Sequence, residues 1–96
     1  MRGVTRLGDL NSGHDACPPI GLSVASADVL VNGLGCGRLC DVYGVHGCKD
    51  HGSHVGSIAT ASTTVLVNGR GLARIGDSVS CGGSAMQGSS DVLVGG

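Results

Sequence analysis

The chain has 96 residues, a formal net charge of −1 and a single aromatic residue, Tyr43. Without a basic stripe or stacking aromatic side chains it lacks the features of a nucleic-acid-binding protein. It has no Glu, one Lys and one Gln, and all seven acidic residues are Asp, so few residues favour helices and the composition predicts an all-β fold.

Short sequence elements recur in chain order. Residues 6–9 read Arg-Leu-Gly-Asp, and the same Arg and Asp return in residues 38–41 and 74–77. Three apolar, β-forming runs end in turn dipeptides at Asn32-Gly33, Asn68-Gly69 and Gly95-Gly96. Asn-Gly is a strong signal for a two-residue hairpin turn. The sequence therefore predicts three related β-hairpins that wrap around an axis with pseudo-threefold symmetry.

We expect one small domain over residues 1–96. Its core must be built from Val, Leu, Ile and Ala, and its 19 glycines lose much backbone entropy on folding. A metal, a disulfide or a partner is therefore expected to add stability. No apolar run reaches the length of a signal peptide or a membrane span, so we expect the chain to accumulate in the cytoplasm before any assembly.

The loops between the strands carry a candidate metal site. His14 and His46 each lie five residues after the Asp of their repeat, and Cys81 lies four residues after Asp77. His54 precedes Ser62 by the same eight residues that separate Cys81 from Ser89. Three imidazoles and one thiolate form a closed tetrahedral set that suits structural Zn²⁺, with Fe²⁺ as the alternative. The predicted ligands are His14, His46, His54 and Cys81, with His51 as the alternative to His54.

The other cysteines have three possible roles. A chain without a secretion signal is more typical of thiols or metal ligands than of a disulfide framework. We expect burial as small apolar side chains, and a disulfide or a second metal site are the alternatives, for Cys17, Cys36, Cys40 and Cys48. Catalysis is not expected, since Cys48 and His46 lack an orienting carboxylate.

The repeats resemble those of PAAR-repeat proteins, which tip the spikes of type VI secretion systems and contractile phage tails. The resemblance rests on residues 6–9, the Val-Leu-Val-Asn-Gly strands, residues 72–77, Ser80-Cys81-Gly82-Gly83 and residues 88–94. The Pro-Ala-Ala-Arg signature is represented by Gly35-Cys36-Gly37-Arg38 and Gly71-Leu72-Ala73-Arg74.

The resemblance implies a cone of short strands with a metal at its apex and a blunt base on a trimeric β-helical spike, one monomer per trimer. The function would be a non-enzymatic tip that caps and sharpens a membrane-puncturing device and contacts the target envelope transiently. No fused toxin domain is expected. The alternatives are an adaptor for separately encoded effectors or a small metal or thiol enzyme. We expect the spike to contact the strand valines, which are Val29, Val31, Val65, Val67, Val92 and Val94.

Overall fold

The computed structural model describes residues 1–13, 17–48 and 51–96, with the backbone alone for 46–48 and 51–54. Within those ranges the chain forms strands and no helix, which confirms the all-β prediction. The strands are β1 (Arg2–Gly3), β2 (Leu30–Val31), β3 (Leu34–Gly35), β4 (His46–Cys48), β5 (His51–His54), β6 (Leu66–Val67), β7 (Arg70–Gly71) and β8 (Leu93–Val94). None of the described segments is a helix able to span a membrane.

Each predicted Asn-Gly pair forms a hairpin turn. Asn32 and Gly33 connect β2 to β3 with φ of 54° and 80°, and Asn68 and Gly69 connect β6 to β7 with 53° and 77°. Two consecutive positive φ values define the turn that matches the natural twist of the strands. The third hairpin predicted at Gly95-Gly96 is not formed. Instead β8 pairs antiparallel with β1 from the other end of the chain, and this pair takes the place of the third hairpin.

The segments that follow the three strand pairs bridge to one another and join the repeats in a closed ring. Arg6 bridges to Cys36, Arg38 to Leu72 and Arg74 to Val4, so each repeat contacts the next. On the axis, Thr5 N–H donates to Ala73 O at 3.1 Å, Ala73 N–H to Gly37 O at 2.9 Å and Gly37 N–H to Thr5 O at 2.8 Å. This axial ring of three backbone hydrogen bonds gives the single chain its pseudo-threefold symmetry.

An Arg–Asp clamp follows the axial ring in every repeat. Arg38 donates from its backbone N–H and Nε to Asp41 Oδ2 at 2.9 and 2.8 Å, and from Nη2 to Oδ1 at 2.9 Å. The same three donors of Arg6 reach Asp9, and those of Arg74 reach Asp77. The three carboxylates are buried, and such fork-shaped, charge-assisted pairs fix geometry as well as energy.

The apolar core has two parts along the axis. One part consists of two sets of equivalent residues. The first set is Val4, Cys36 and Leu72, and the second is Val31, Val67 and Val94. The other contains Leu22, Tyr43, Ile58, Ala73 and Val79, with Cys81 packed against it. Tyr43 is fully buried and its hydroxyl has no hydrogen-bond partner among the described residues, and burial raises the pKa of Tyr43 to about 12. The tyrosine ring supplies bulk that the rest of the small core lacks.

The cysteines divide among the predicted roles. Cys36 is fully buried at a position that Val4 and Leu72 occupy in the other repeats, and burial raises the pKa of its thiol. Cys17 is also buried but is disulfide-bonded, which was the alternative role. The burial predicted for Cys40 is wrong: Cys40 is exposed, with φ of 72°, in a turn where the other repeats have Gly8 and Gly76. The side chain of Cys48 lies outside the described residues.

Gly37 provides a test of the axial ring. A Cβ at Gly37 would lie 2.9 Å from Leu22 Cδ2 and 2.9 Å from Thr5 Cγ2. We expect Gly37→Ala to lower the free energy of unfolding by about 1–3 kcal/mol because overpacking forces these neighbours apart. Urea unfolding measures the change.

Gly95→Ala is the matched control, since a Cβ there meets only Met1 Cγ at 3.8 Å. Equal stabilities for the two variants would contradict a tightly packed axis.

Candidate metal centre and docking face

The hairpin β4–β5 brings two predicted metal ligands to opposed positions. His46 pairs with His54 and Cys48 pairs with His51, with a register shift between the two pairs. The backbone therefore sets His54 directly across from His46, whereas the alternative ligand His51 is across from Cys48. The side chains of these residues lie outside the described part of the structure, and the choice between His51 and His54 stays a prediction.

Cys81 lies against the open end of this hairpin. Tyr43 N–H donates to Gly56 O at 2.9 Å, which joins the segments that lead into β4 and out of β5. A Cβ built on Gly56 would lie 2.5 Å from Cys81 Sγ, so only a glycine lets the thiol pack on this backbone. Cys81 is a free, partly exposed thiol, and it contacts the chain two residues after His54, where β5 ends.

The segment before His14 reaches the same region. Ser12 N–H donates to Ser84 O at 2.8 Å, and Ser84 N–H donates to Ser12 Oγ at 3.0 Å. The chain around residues 81–84 thus contacts both the open end of the β4–β5 hairpin and Ser12, two residues before His14. His14 itself lies outside the described residues.

Pseudo-symmetry relates His54 to Cys81 as the sequence spacing suggested. Val42 bridges to Ser57 and Ser78 bridges to Ser84, and these bridges are equivalent in the two repeats. His54 and Cys81 each lie three residues before the bridging serine. Among the residues with described side chains, no three His, Cys, Asp or Glu form a metal-binding group, but that description includes only Cys81 of the four predicted ligands.

The six predicted spike-contact valines form two sets. Val29, Val65 and Val92 are 37–39% exposed, whereas Val31, Val67 and Val94 are only 7–9% exposed and belong to the core. Residues two apart on a strand point to the same face, so the two sets share one face of the strands, and the first set is its more exposed part. We call the surface formed by Val29, Val65 and Val92 the base. Direct contact with a partner falls mainly to the outer set, because the inner set already packs with Val4 and Leu72.

Sequence reasoning missed three leucines on the opposite strand face. Leu30, Leu66 and Leu93 alternate with the valines and are 58%, 61% and 45% exposed. They therefore form an exposed face separate from that of the valines, which we call the leucine face. The alternation of Val and Leu along each strand indicates two apolar faces, but only the burial of the side chains shows which of the two faces points inward.

Polar corners connect neighbouring repeats beside the base. Asn68 Nδ2 donates to Asp28 Oδ1 at 3.0 Å while Asn68 Oδ1 accepts from Arg38 at 3.1 Å. Asn32 makes the same contacts with Asp91 and Arg6. At the third corner Arg74 donates instead to Gly95 O at 3.3 Å. The hairpin turns thus also join the repeats.

Comparison with known families identifies the class of protein. The PAAR motif family matches residues 48–96, just over half of the chain. The chain belongs to this family, and it is a spike-tip protein of contractile injection systems. The family is structural, and its members associate with a spike. No curated protein matches the chain.

Asn68 provides a test of the polar corners. The hydrogen bond from Asn68, followed by that from Ser26, holds the pKa of Asp28 below its ordinary value of 3.8. We expect Asn68→Ala to raise the pKa of Asp28 toward that value, as measured by NMR titration of the carboxyl carbon. A lowered folded-state pKa stabilises the fold at neutral pH, and this contribution is lost as the pH falls through the folded-state pKa.

Asp91 gives the comparison. Its pKa is lowered first by Ser89 and then by Asn32, so Asn32→Ala should raise the pKa of Asp91 less than Ser89→Ala does. The reverse order would contradict the hydrogen-bond geometry of this corner.

Proposed function

We propose that this protein caps and sharpens the end of a trimeric β-helical spike, with one chain on each trimer. The observation that carries the proposal is the axial ring, because it lets one polypeptide present three equivalent strand ends at its base. A threefold-symmetric partner needs a threefold surface for simultaneous contact by all its subunits. Three separate chains are then unnecessary.

The base has the composition that such a contact requires. Val29, Val65 and Val92 have nearly equal exposure at equivalent positions, so each can contact one subunit of the partner in the same way. Apolar contact drives association, while the cap covers the strand edges that end a β-helix. The polar corners made by Asn32 and Asn68 border this apolar base.

A bound metal at the opposite end is the second part of the proposal. The donor set of three imidazoles and one thiolate fits tetrahedral Zn²⁺. The opposed positions of His46 and His54, and the packing of Cys81 on Gly56, support this set. Because four protein ligands leave no open position, the ion would stabilise the fold and would not activate water. Attachment of a separately encoded effector stays a prediction.

Replacing one valine tests the docking face. We expect Val65→Asp to abolish the complex with the trimeric spike of the same apparatus, because a charge would be buried without a partner. The neighbouring Leu66→Asp is the matched control, since Leu66 points away from the base, and it should leave the complex intact. Native mass spectrometry measures both the complex and its ratio, which we expect to be one chain per trimer. Any other ratio would refute the docking geometry.

Single replacements test the metal site. We expect elemental analysis of the purified chain to find zinc or iron, and we expect loss of the metal with a lower unfolding temperature in His14→Ala, His46→Ala, His54→Ala and Cys81→Ser. His51→Ala should keep the metal. Loss of metal in His51→Ala but not in His54→Ala would show that His51, and not His54, is the fourth ligand. Unchanged metal content in all five variants would refute the proposed metal site.

A further inference from the structure

A lateral groove of about 500 Å³ lies beside the β6–β7 hairpin, on the leucine face. Its lining includes the large apolar side chains of Leu39 and Leu66, the small side chains of Ala59 and Ala61, and the cation of Arg70. The base valines Val65 and Val67 do not line it. The groove is therefore a surface separate from the proposed spike contact.

Backbone groups along this groove lack partners. The N–H groups of Thr60 and Ala61 donate to none of the described residues. At the positions equivalent to Thr60, Val24 N–H donates to Val42 O at 3.2 Å and Gln87 N–H donates to Leu10 O at 3.1 Å, whereas the N–H groups equivalent to that of Ala61 also donate to none of the described residues. Exposed, unpaired backbone beside an apolar groove is the arrangement to which an extended peptide adds as a further strand.

The groove lining includes one partly exposed cation, Arg70. Asp41 accepts hydrogen bonds from both Arg38 and Arg70, so two guanidinium groups share one carboxylate. Arg70 remains 37% exposed at its side chain. In the first repeat the equivalent residue is Leu34, which has no charge, as the hairpin pairings of Leu34 with Val31 and of Arg70 with Val67 show.

The third repeat has a cation but no matching space. Arg2 occupies the position of Arg70 and contacts Asp77 at 3.5 Å. Met86, however, occupies the position of Ala59, since Met86 N–H bonds to Leu10 O as Ala59 N–H bonds to Ser78 O. Of the three equivalent positions, all within the described ranges, the second alone combines small side chains, a cation and the unpaired N–H of residue 60.

We propose that this lateral groove binds an extended segment of a partner protein. The segment places an apolar side chain between Leu39 and Leu66 and a carboxylate against Arg70, and one of its carbonyl groups accepts a hydrogen bond from Thr60 N–H. The partner would thus be carried on the side of the tip while the base remains available to the spike.

NMR titration of the ¹⁵N-labelled chain tests the proposal with the peptide acetyl-Thr-Leu-Thr-Asp-Thr-amide. Its Leu and Asp are two residues apart and share one face of an extended chain. We expect saturable shifts of the amides of residues 60–63 and 69–71, slower hydrogen exchange at Thr60, and no saturable shift at residues 23–26 or 86–88. The peptide with Asn in place of Asp should bind about two- to fivefold more weakly, the range of an exposed ion pair.

Variants that copy residues of the other repeats supply the controls. Ala59→Met introduces the residue of the third repeat and should weaken binding at least about tenfold by filling the groove. Arg70→Leu introduces the residue of the first repeat and should make the Asp and Asn peptides bind equally. Ser23→Met changes the equivalent exposed position of the first repeat and should leave binding unchanged. Val92→Asp, which disrupts the base, should also leave it unchanged, so the two proposals fail independently.

Two results would overturn the inference. One is the absence of saturable shifts at residues 60–63 and 69–71. The other is equal shifts at all three equivalent positions, which would indicate contact with exposed leucines in general and not with this groove.

Discussion

The closed ring of backbone hydrogen bonds among Thr5, Gly37 and Ala73 is the constraint on which the rest of the structure depends. Each bond joins two repeats, so no repeat can move without breaking a contact with both of its neighbours. The Arg–Asp clamps follow immediately in the chain and hold the next turn of each repeat in the same orientation. Polar and backbone contacts thus fix an arrangement that the few apolar side chains could not specify alone.

Pseudo-symmetry also separates the surfaces of the molecule. At the base, equivalent valines remain nearly equal in exposure, as the proposed threefold partner would require. On the sides, the repeats differ in charge and in volume, because Leu34, Arg70 and Arg2 occupy one equivalent position and Ser23, Ala59 and Met86 another. A surface used by three identical subunits must keep its copies alike, whereas a surface that contacts one partner segment is free to diverge.

The region around Cys81 lies outside the cluster of valines that includes Val31, Val67 and Val94. Around Cys81 the chain is rich in glycine and serine, and Tyr43 is the largest buried side chain nearby. Cys17 is disulfide-bonded, which adds a covalent restraint to the fold. Ligation by the predicted His and Cys residues would add to this restraint, because binding energy of a structural metal is folding energy.

The sequence by itself determined the repeat, the two Asn-Gly hairpins and the family. Asn-Gly turns and the spacing of Arg38, Asp41, Arg74 and Asp77 are local signals, since each depends on residues within a few positions of one another. Only the tertiary structure decided which strand face is buried, that Cys40 is exposed while Cys36 is not, that Cys17 is disulfide-bonded, and that β8 pairs with β1 across the whole chain. These outcomes depend on contacts between distant residues, and alternation or spacing along one strand carries no information about what will pack against it.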